Sequence, residues 1–312
     1  MNKIPIVFAF DNNLAMPAAV CFFSLLANAH PETVYDIYVL HRKGEVLNLD
    51  FISKVFEKYP THQLNLVDVG DTFDKSFEIR GITTPAYYRL LIPELISQYD
   101  KVLYSDVDVI FRQDLSYFYK NTNIENALIA GVNNLAHLDD DLRRHYEDSL
   151  KLDPVNIICS GFLLMNLKAI REENLVPMFI EHSKNKYKYQ DQDVLNIVCR
   201  GRIKMLPPKY SLLTYVSYMN TYKHDSLLDM WTASELSEAV NSGNVHYNGQ
   251  KPWTGYCVNF DIWWEYYRKS PFFDSKYYFD FFYKKLDEYD RLPLLKRIKI
   301  LLRYFVFGRK ND

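Results

Sequence analysis

Apolar residues in this chain fall into short unbroken runs separated by polar punctuation. Ile4–Phe10 is one such run, the mark of a strand buried on both faces, and it stops at the turn- and cap-forming Asp11-Asn12-Asn13. Met16–Ala29 then predicts a helix, Tyr35–Leu40 a second strand, Phe51–Lys58 a helix and Gln63–Val69 a third strand. This βαβαβ alternation predicts an α/β fold with a mainly parallel central sheet, in which ligands bind beyond the carboxyl ends of the strands. Further along, Thr84–Tyr99 predicts a helix and Val102–Phe111 a buried strand. Ala127–Val132 and Ser160–Leu167 predict strands, and a helix follows to about Ser183. Tyr189-Gln190-Asp191-Gln192-Asp193 precedes a helix over Val194–Cys199, Pro207–Asn220 reads as irregular, and Asn244–Tyr247 predicts a short strand. No repeat or low-complexity linker divides residues 1–255, which read as one domain ahead of a helical, aromatic tail over 256–312.

The run Val102–Phe111 carries Asp106 and Asp108 one residue apart among apolar neighbours. Alternation along a strand would point both to one side, where two close carboxylates need a counter-charge. A divalent cation supplies it economically, and oxygen ligands suit Mg, Ca or Mn. Spacing alone decides little, because Asp139/Asp141 and Asp191/Asp193 repeat it. Asp139-Asp140-Asp141 reads as a solvated loop or helix start, whereas a pair inside an apolar run is costly to desolvate without a partner. Arg89, the lone cation among Tyr87, Tyr88, Leu90 and Leu91, reads either as a snorkelling surface residue or as a site residue.

Composition narrows the class. With 312 residues, 48% hydrophobic and 24% charged, the chain is globular and not mainly disordered. A net charge of −2 argues against nucleic acid as a partner. The charge is uneven: residues 291–312 hold seven Lys/Arg and one acid. Cys21, Cys159, Cys199 and Cys257 form no Cys-x-x-Cys pair, as expected of reduced thiols in the cytosol. No secretory leader pattern and no membrane-spanning run is expected from the sequence.

Several motifs now stand in order: Phe8-Ala9-Phe10-Asp11-Asn12-Asn13, Thr84-Pro85-Ala86-Tyr87-Tyr88-Arg89, Ser105-Asp106-Val107-Asp108, Ser160-Gly161-Phe162-Leu163-Leu164-Met165-Asn166-Leu167, Tyr189-Gln190-Asp191-Gln192-Asp193 and His246-Tyr247-Asn248-Gly249-Gln250-Lys251-Pro252-Trp253. Together they resemble family 8 retaining glycosyltransferases of the bacterial lipooligosaccharide and lipopolysaccharide galactosyl- and glucosyltransferase type, over nearly all of residues 4–255. The resemblance implies the GT-A fold, a Rossmann-like nucleotide-diphospho-sugar transferase architecture. It also implies a UDP-glucose or UDP-galactose donor, a Mn²⁺ cofactor with Mg²⁺ as substitute, and retention of anomeric configuration. It implies Asp106, Asp108 and His246 as metal ligands, an expectation that imidazole beside carboxylates suits. Ala9, Asp11, Asn13, Arg89, Asp106, Val107, Asn134, Gly249 and Lys251 are implied in donor binding. Asp191 and Gln192 are implied beside the transferred sugar, with Gln192 orienting rather than attacking. Leu14 stands where the family often has a uracil-stacking Tyr. Cys159 and Asn134 replace the Asn and the acidic residue of the galactosyltransferase type, so its sugar specificity does not transfer.

The tail adds Leu294, Leu295, Ile298, Leu301, Leu302 and Phe305 at helical spacing, with Lys296, Lys299 and Arg303 largely opposite and Ile300 and Phe307 off the pattern. A basic amphipathic helix suits an anionic membrane surface; the alternative is docking on its own domain. The expectation is a cytoplasmic enzyme, peripheral on the inner face of the cell membrane, building a cell-surface glycan on a glycan or glycolipid acceptor. Two rivals share the fold: a glycogenin-like self-glucosylating initiator and a non-catalytic UDP-sugar-binding stress protein.

Overall fold

Side chains along the first strand alternate between two cores. Ile4, Ile6, Phe8 and Phe10 enter one apolar cluster, while Val7 and Ala9 enter another on the opposite face. The protein's structure, a computed structural model, describes residues 2–73, 76–78, 83–222 and 224–307. Among them ten strands are assigned: β1 Asn2–Ala9, β2 Thr33–His41, β3 Gln63–Asp68, β4 Lys101–Ser105, β5 Val109–Ile110, β6 Ile129–Asn133, β7 Ile158–Asn166, β8 Ile203–Leu206, β9 Leu212–Leu213 and β10 Val245–His246.

Seven strands form the central sheet in the order β3-β2-β1-β4-β7-β6-β8. The β1–β2, β2–β3, β1–β4 and β6–β8 pairs are parallel. Strand β7 runs antiparallel to both β4 and β6, which makes the sheet mixed but mainly parallel. Strands β5, β10 and β9 form a separate small sheet. Helix Ala15–Ala27 is buried nearly all round, because its Ala, Val, Cys and Phe side chains leave no polar face. It packs in the first core with Trp263, Trp264 and Tyr267 of helix Phe260–Lys269. Burying each such ring contributes about 1.5–3 kcal/mol, which ties this helix to the sheet.

Several sequence expectations change: helix Gln190–Val198 takes in the Asp191-Gln192-Asp193 motif rather than following it, and two helices, Leu167–Glu172 and Val176–Ser183, replace the single one. Val102–Phe111 is not one strand: β4 ends at Ser105, residues 106–108 turn, and β5 leaves for the small sheet. The turn lifts both carboxylates out of the apolar layer, where their desolvation would be costly. Thr84–Tyr99 is not one helix but helix Pro85–Tyr88, a 3-10 turn Arg89–Leu91 and helix Ile92–Leu95. Pro93 has no N–H to offer the Arg89 carbonyl, so the ladder breaks there. Pro207–Asn220 is only partly irregular, since β9 lies within it and helix Thr214–Tyr222 begins there. Asp139 caps helix Asp140–Arg144 through bonds to Asp141 and Leu142 N–H, so that acidic run is a helix start.

Candidate active site

Strands β1 and β4 are parallel neighbours, and the turns beyond their carboxyl ends carry Asp11 and Asp106/Asp108. Strand β10 brings His246 to the same place, held antiparallel to β5 and parallel to β9. Ligand atoms of Asp106, Asp108 and His246 all lie within 4.8 Å of one another. His246 Nε2 is 3.2 Å from Asp108 Oδ1 and 3.9 Å from Asp106 Oδ2. Its Nδ1 is 3.2 Å from Ser211 Oγ. In the tautomer that donates from Nδ1 to Ser211, Nε2 directs its lone pair at the carboxylates, the form a metal ligand needs.

Charge in this cluster is strongly coupled. Burial acts to lower the His246 pKa, but the Asp108 carboxylate overrides it and raises His246 to about 10. Burial acts to raise Asp108, and Lys251 and His246 hold it well below the usual carboxylate range. Lys251 Nζ donates to Asp108 Oδ2 and, at 2.6 Å, to the Tyr247 carbonyl. Asp108 Oδ1 is buried and has no hydrogen-bond partner of good geometry among the described residues.

Arg89 is not a snorkelling surface residue: it is 3% exposed. It donates to Asp106 Oδ1 at 2.8 Å, the Ser160 carbonyl at 2.6 Å and the Ala86 carbonyl at 2.9 Å. Its Nε is 3.2 Å from Asp191 Oδ2, and the guanidinium lies 4.3 Å from the Tyr104 ring centroid. Burial works against its charge, but the two carboxylates raise its pKa further. Tyr104 also donates to Asp106 Oδ1, at 2.8 Å. Asp191 is buried, and burial lifts its carboxyl to about 6 although Arg89 works the other way.

Strand β7 joins these pieces, a role its sequence motif did not disclose. The Ser160 N–H donates to Gln192 Oε1 at 3.3 Å while its carbonyl takes Arg89. The Gly161 carbonyl accepts from Asp106 N–H at 2.9 Å. Cys159 Sγ is 3.9 Å from His246 Nδ1. A Cβ at Gly161 would lie 2.2 Å from His246 Cε1 and 2.8 Å from Asp106 Oδ2, so only glycine fits against the cluster. Ser211 and Tyr146 were missed as well: one lay in a segment read as irregular, and the other in a stretch without a motif.

The remaining expected residues are placed as follows. Asp11 accepts from Asn13 N–H at 3.0 Å and from Thr83 Oγ1 at 3.2 Å. It lines a cavity of about 420 Å³ with Arg42, Lys43, Glu45, Thr84 and Tyr88, a size suited to a small ligand. Ala9 and Val107 turn their side chains into the two cores. Asn134 Oδ1 accepts from Ala136 N–H at 3.0 Å. Gly249 is exposed, and a Cβ there would meet Thr214 no closer than 3.7 Å.

The family described as Glycosyl transferase family 8 matches residues 5–257. A provisionally described glycosyltransferase of Haemophilus influenzae is 29% identical over 213 residues, which cover 66% of this chain and 62% of that protein. The chain therefore spans under two-thirds of that relative's length. A lipopolysaccharide 1,2-glucosyltransferase of Escherichia coli is 25% identical over 262 residues, 81% of this chain and 73% of the relative. The structure of the galactosyltransferase LgtC with donor and acceptor sugar analogues superposes with a TM-score of 0.68 at 25% identity, covering 84% of this chain and 95% of that one.

Proposed function

The chain belongs to glycosyl transferase family 8, and from that premise we propose that it moves glucose or galactose from a UDP-sugar to a cell-surface glycan or lipid-linked acceptor, with retention. The observation that carries this reading is the convergence of Asp106, Asp108 and His246 within 4.8 Å, beside the Arg89–Asp191 pair. Two carboxylates and an imidazole suit Mn²⁺, with Mg²⁺ as substitute, and Asp108 Oδ1 and His246 Nε2, 3.2 Å apart and buried, are atoms that a cation between them would satisfy together. Bound there, the ion would offset negative charge developing on the departing UDP.

The chain's own residues supply the rest. Asp11 and Asn13 hold the uracil and ribose at the cavity beyond β1, with main-chain groups of Ala9 and Val107 alongside. Lys251 adds a second positive charge for the diphosphate, where Gly249 leaves room for the backbone to approach. Arg89 fixes Asp106 and Asp191, and Asn134 faces the sugar. Asp191 lies 3.2 Å from the Arg89 guanidinium, whose charge draws on its carboxylate, while Gln192 is an amide and cannot act as a general base. The acceptor hydroxyl therefore attacks the anomeric carbon on the face that UDP leaves. The new C–O bond forms as the bond to the diphosphate breaks, and the departing phosphate oxygen takes the acceptor's proton. Gln192 orients the sugar and stabilises its oxocarbenium character.

The last helix supports a membrane role. Leu294, Leu295, Ile298, Leu301 and Leu302 are all exposed, rather than docked on the domain. Among the described residues no helix is long and apolar enough to cross a membrane, so association would be peripheral, at an anionic cytoplasmic surface. The reading is tested by a panel of UDP-sugars with Mn²⁺ and no acceptor, scored for slow donor hydrolysis. Hydrolysis of UDP-glucose or UDP-galactose that stops on chelation is expected; hydrolysis of neither, or hydrolysis indifferent to chelation, would contradict it.

A further inference from the structure

Gln192 lies in the first turn of helix Gln190–Val198, and both ends of its amide are held. Oε1 accepts from Ser160 N–H at 3.3 Å, and Nε2 donates to the Tyr146 hydroxyl at 2.8 Å. A backbone N–H cannot accept, so the oxygen must face Ser160 and the nitrogen must face Tyr146. We infer that Tyr146 is a positioning residue for sugar transfer, fixing which end of the Gln192 amide meets the anomeric centre; this rests on the reading of Gln192 given above.

Tyr146 is built for such a task. It sits in a single π-helical turn, His145–Ser149, a local irregularity often kept at functional sites. It is fully buried among Ala136, Leu152 and Ile157, and its ring stacks on Tyr189 at 6.2 Å. Its hydroxyl accepts from Gln192 at 2.8 Å and has the Asp193 carboxylate as its charged neighbour. Asp193 is itself buried and fixed by Tyr189 N–H at 2.9 Å and His145 Nε2 at 2.7 Å. Burial, with the Asp193 charge beyond it, holds the phenol well above its usual value, so it stays a neutral hydroxyl. His145 is bonded to Asp193 and Tyr146 to Gln192, so the two pairs pack side by side behind the Gln192 amide.

The chemistry explains why orientation matters. Only the amide oxygen can stabilise an oxocarbenium-like centre, and after its bond from Ser160 it keeps a second lone pair for that purpose. With the Tyr146 hydroxyl gone, the 3.3 Å bond from Ser160 N–H is left to hold the amide on its own, and a turn that brings the NH₂ end forward would oppose the developing positive charge.

The test uses the full chain, Mn²⁺ and the UDP-hexose it hydrolyses. Tyr146→Phe keeps the ring in its apolar packing. It should lower kcat about tenfold, the equivalent of one hydrogen bond, with the donor KM nearly unchanged. In a Gln192→Ala background the same change should alter kcat less than about twofold, since no amide is left to orient. A general loss of stability would instead lower kcat in both backgrounds. Asp193→Asn, which weakens the grip on Tyr146, gives a second route to the same cycle should Tyr146→Phe fold poorly. An unchanged kcat in Tyr146→Phe, or equal losses in both backgrounds, overturns the positioning role. Full activity in Gln192→Ala overturns the reading of Gln192 itself, and the positioning role with it.

Discussion

Gly161→Ala would disturb the candidate metal centre through one methyl group. That methyl carbon would lie 2.2 Å from His246 Cε1 and 2.7 Å from Nε2, whereas ordinary contact begins near 3.4 Å. The imidazole would have to retreat by the difference, about 1.2 Å. It has nowhere to go: β10 is paired to β5 and β9, and Nδ1 is within bonding distance of Ser211. Overpacking of this kind costs about 1–3 kcal/mol, and disturbing the support of a metal ligand weakens binding about 10–100-fold. Calorimetry of Mn²⁺ binding in the presence of UDP, paired with a thermal melt, reads both effects. We expect at least about tenfold weaker binding and a Tm lower by about 2–10 °C, with the protein folded. Wild-type affinity and Tm in Gly161→Ala would refute the placement of His246 and Asp106 against β7.

Two further outcomes follow from the same geometry. Burial raises Asp191 from 3.8 to about 6, so its contribution to stability is complete below pH 3.8 and is lost as pH rises through about 6. Asp191→Asn removes that dependence, so its stability relative to the wild type should climb by up to about 3 kcal/mol between about pH 4 and 7, read by melts across pH; a pH-independent difference would contradict it. Deleting residues 291–312, with their seven Lys/Arg, should release the protein from anionic vesicles and spare donor hydrolysis, since each basic residue contributes about 1 kcal/mol at such a surface. Equal vesicle binding by the truncated protein would remove the membrane role.

Legibility in the sequence depended on whether a signal was local. The unbroken run Ile4–Phe10 disclosed a strand buried on both faces, and its end at Asp11 disclosed where the chain turns. The last helix, Leu294–Phe307, was legible from its period. Spacing could not choose among three Asp-x-Asp pairs; the choice of Asp106/Asp108 came from apolar context and from six motifs in order. Arg89 was ambiguous because an Arg on an apolar helix has the same pattern whether it snorkels or is buried by two carboxylates. The antiparallel course of β7, the need for Gly161 and the Tyr146–Gln192 bond all depend on residues far apart in sequence. No window of the chain contains both partners of those contacts, so no periodicity could announce them.

Stereochemistry tests the central claim most directly. UDP-hexose donors carry an α-linked sugar, and the proposal assigns the place beside the anomeric carbon to the amide of Gln192, which cannot serve as a general base. Proton NMR, recorded as the protein turns over UDP-glucose or UDP-galactose with Mn²⁺ and an acceptor, reads the anomeric coupling of the newly made linkage. A small coupling, the signature of an α-linked product, is the result predicted here; a large β coupling in the first-formed product would contradict the retaining mechanism and the roles given to Gln192 and Asp191.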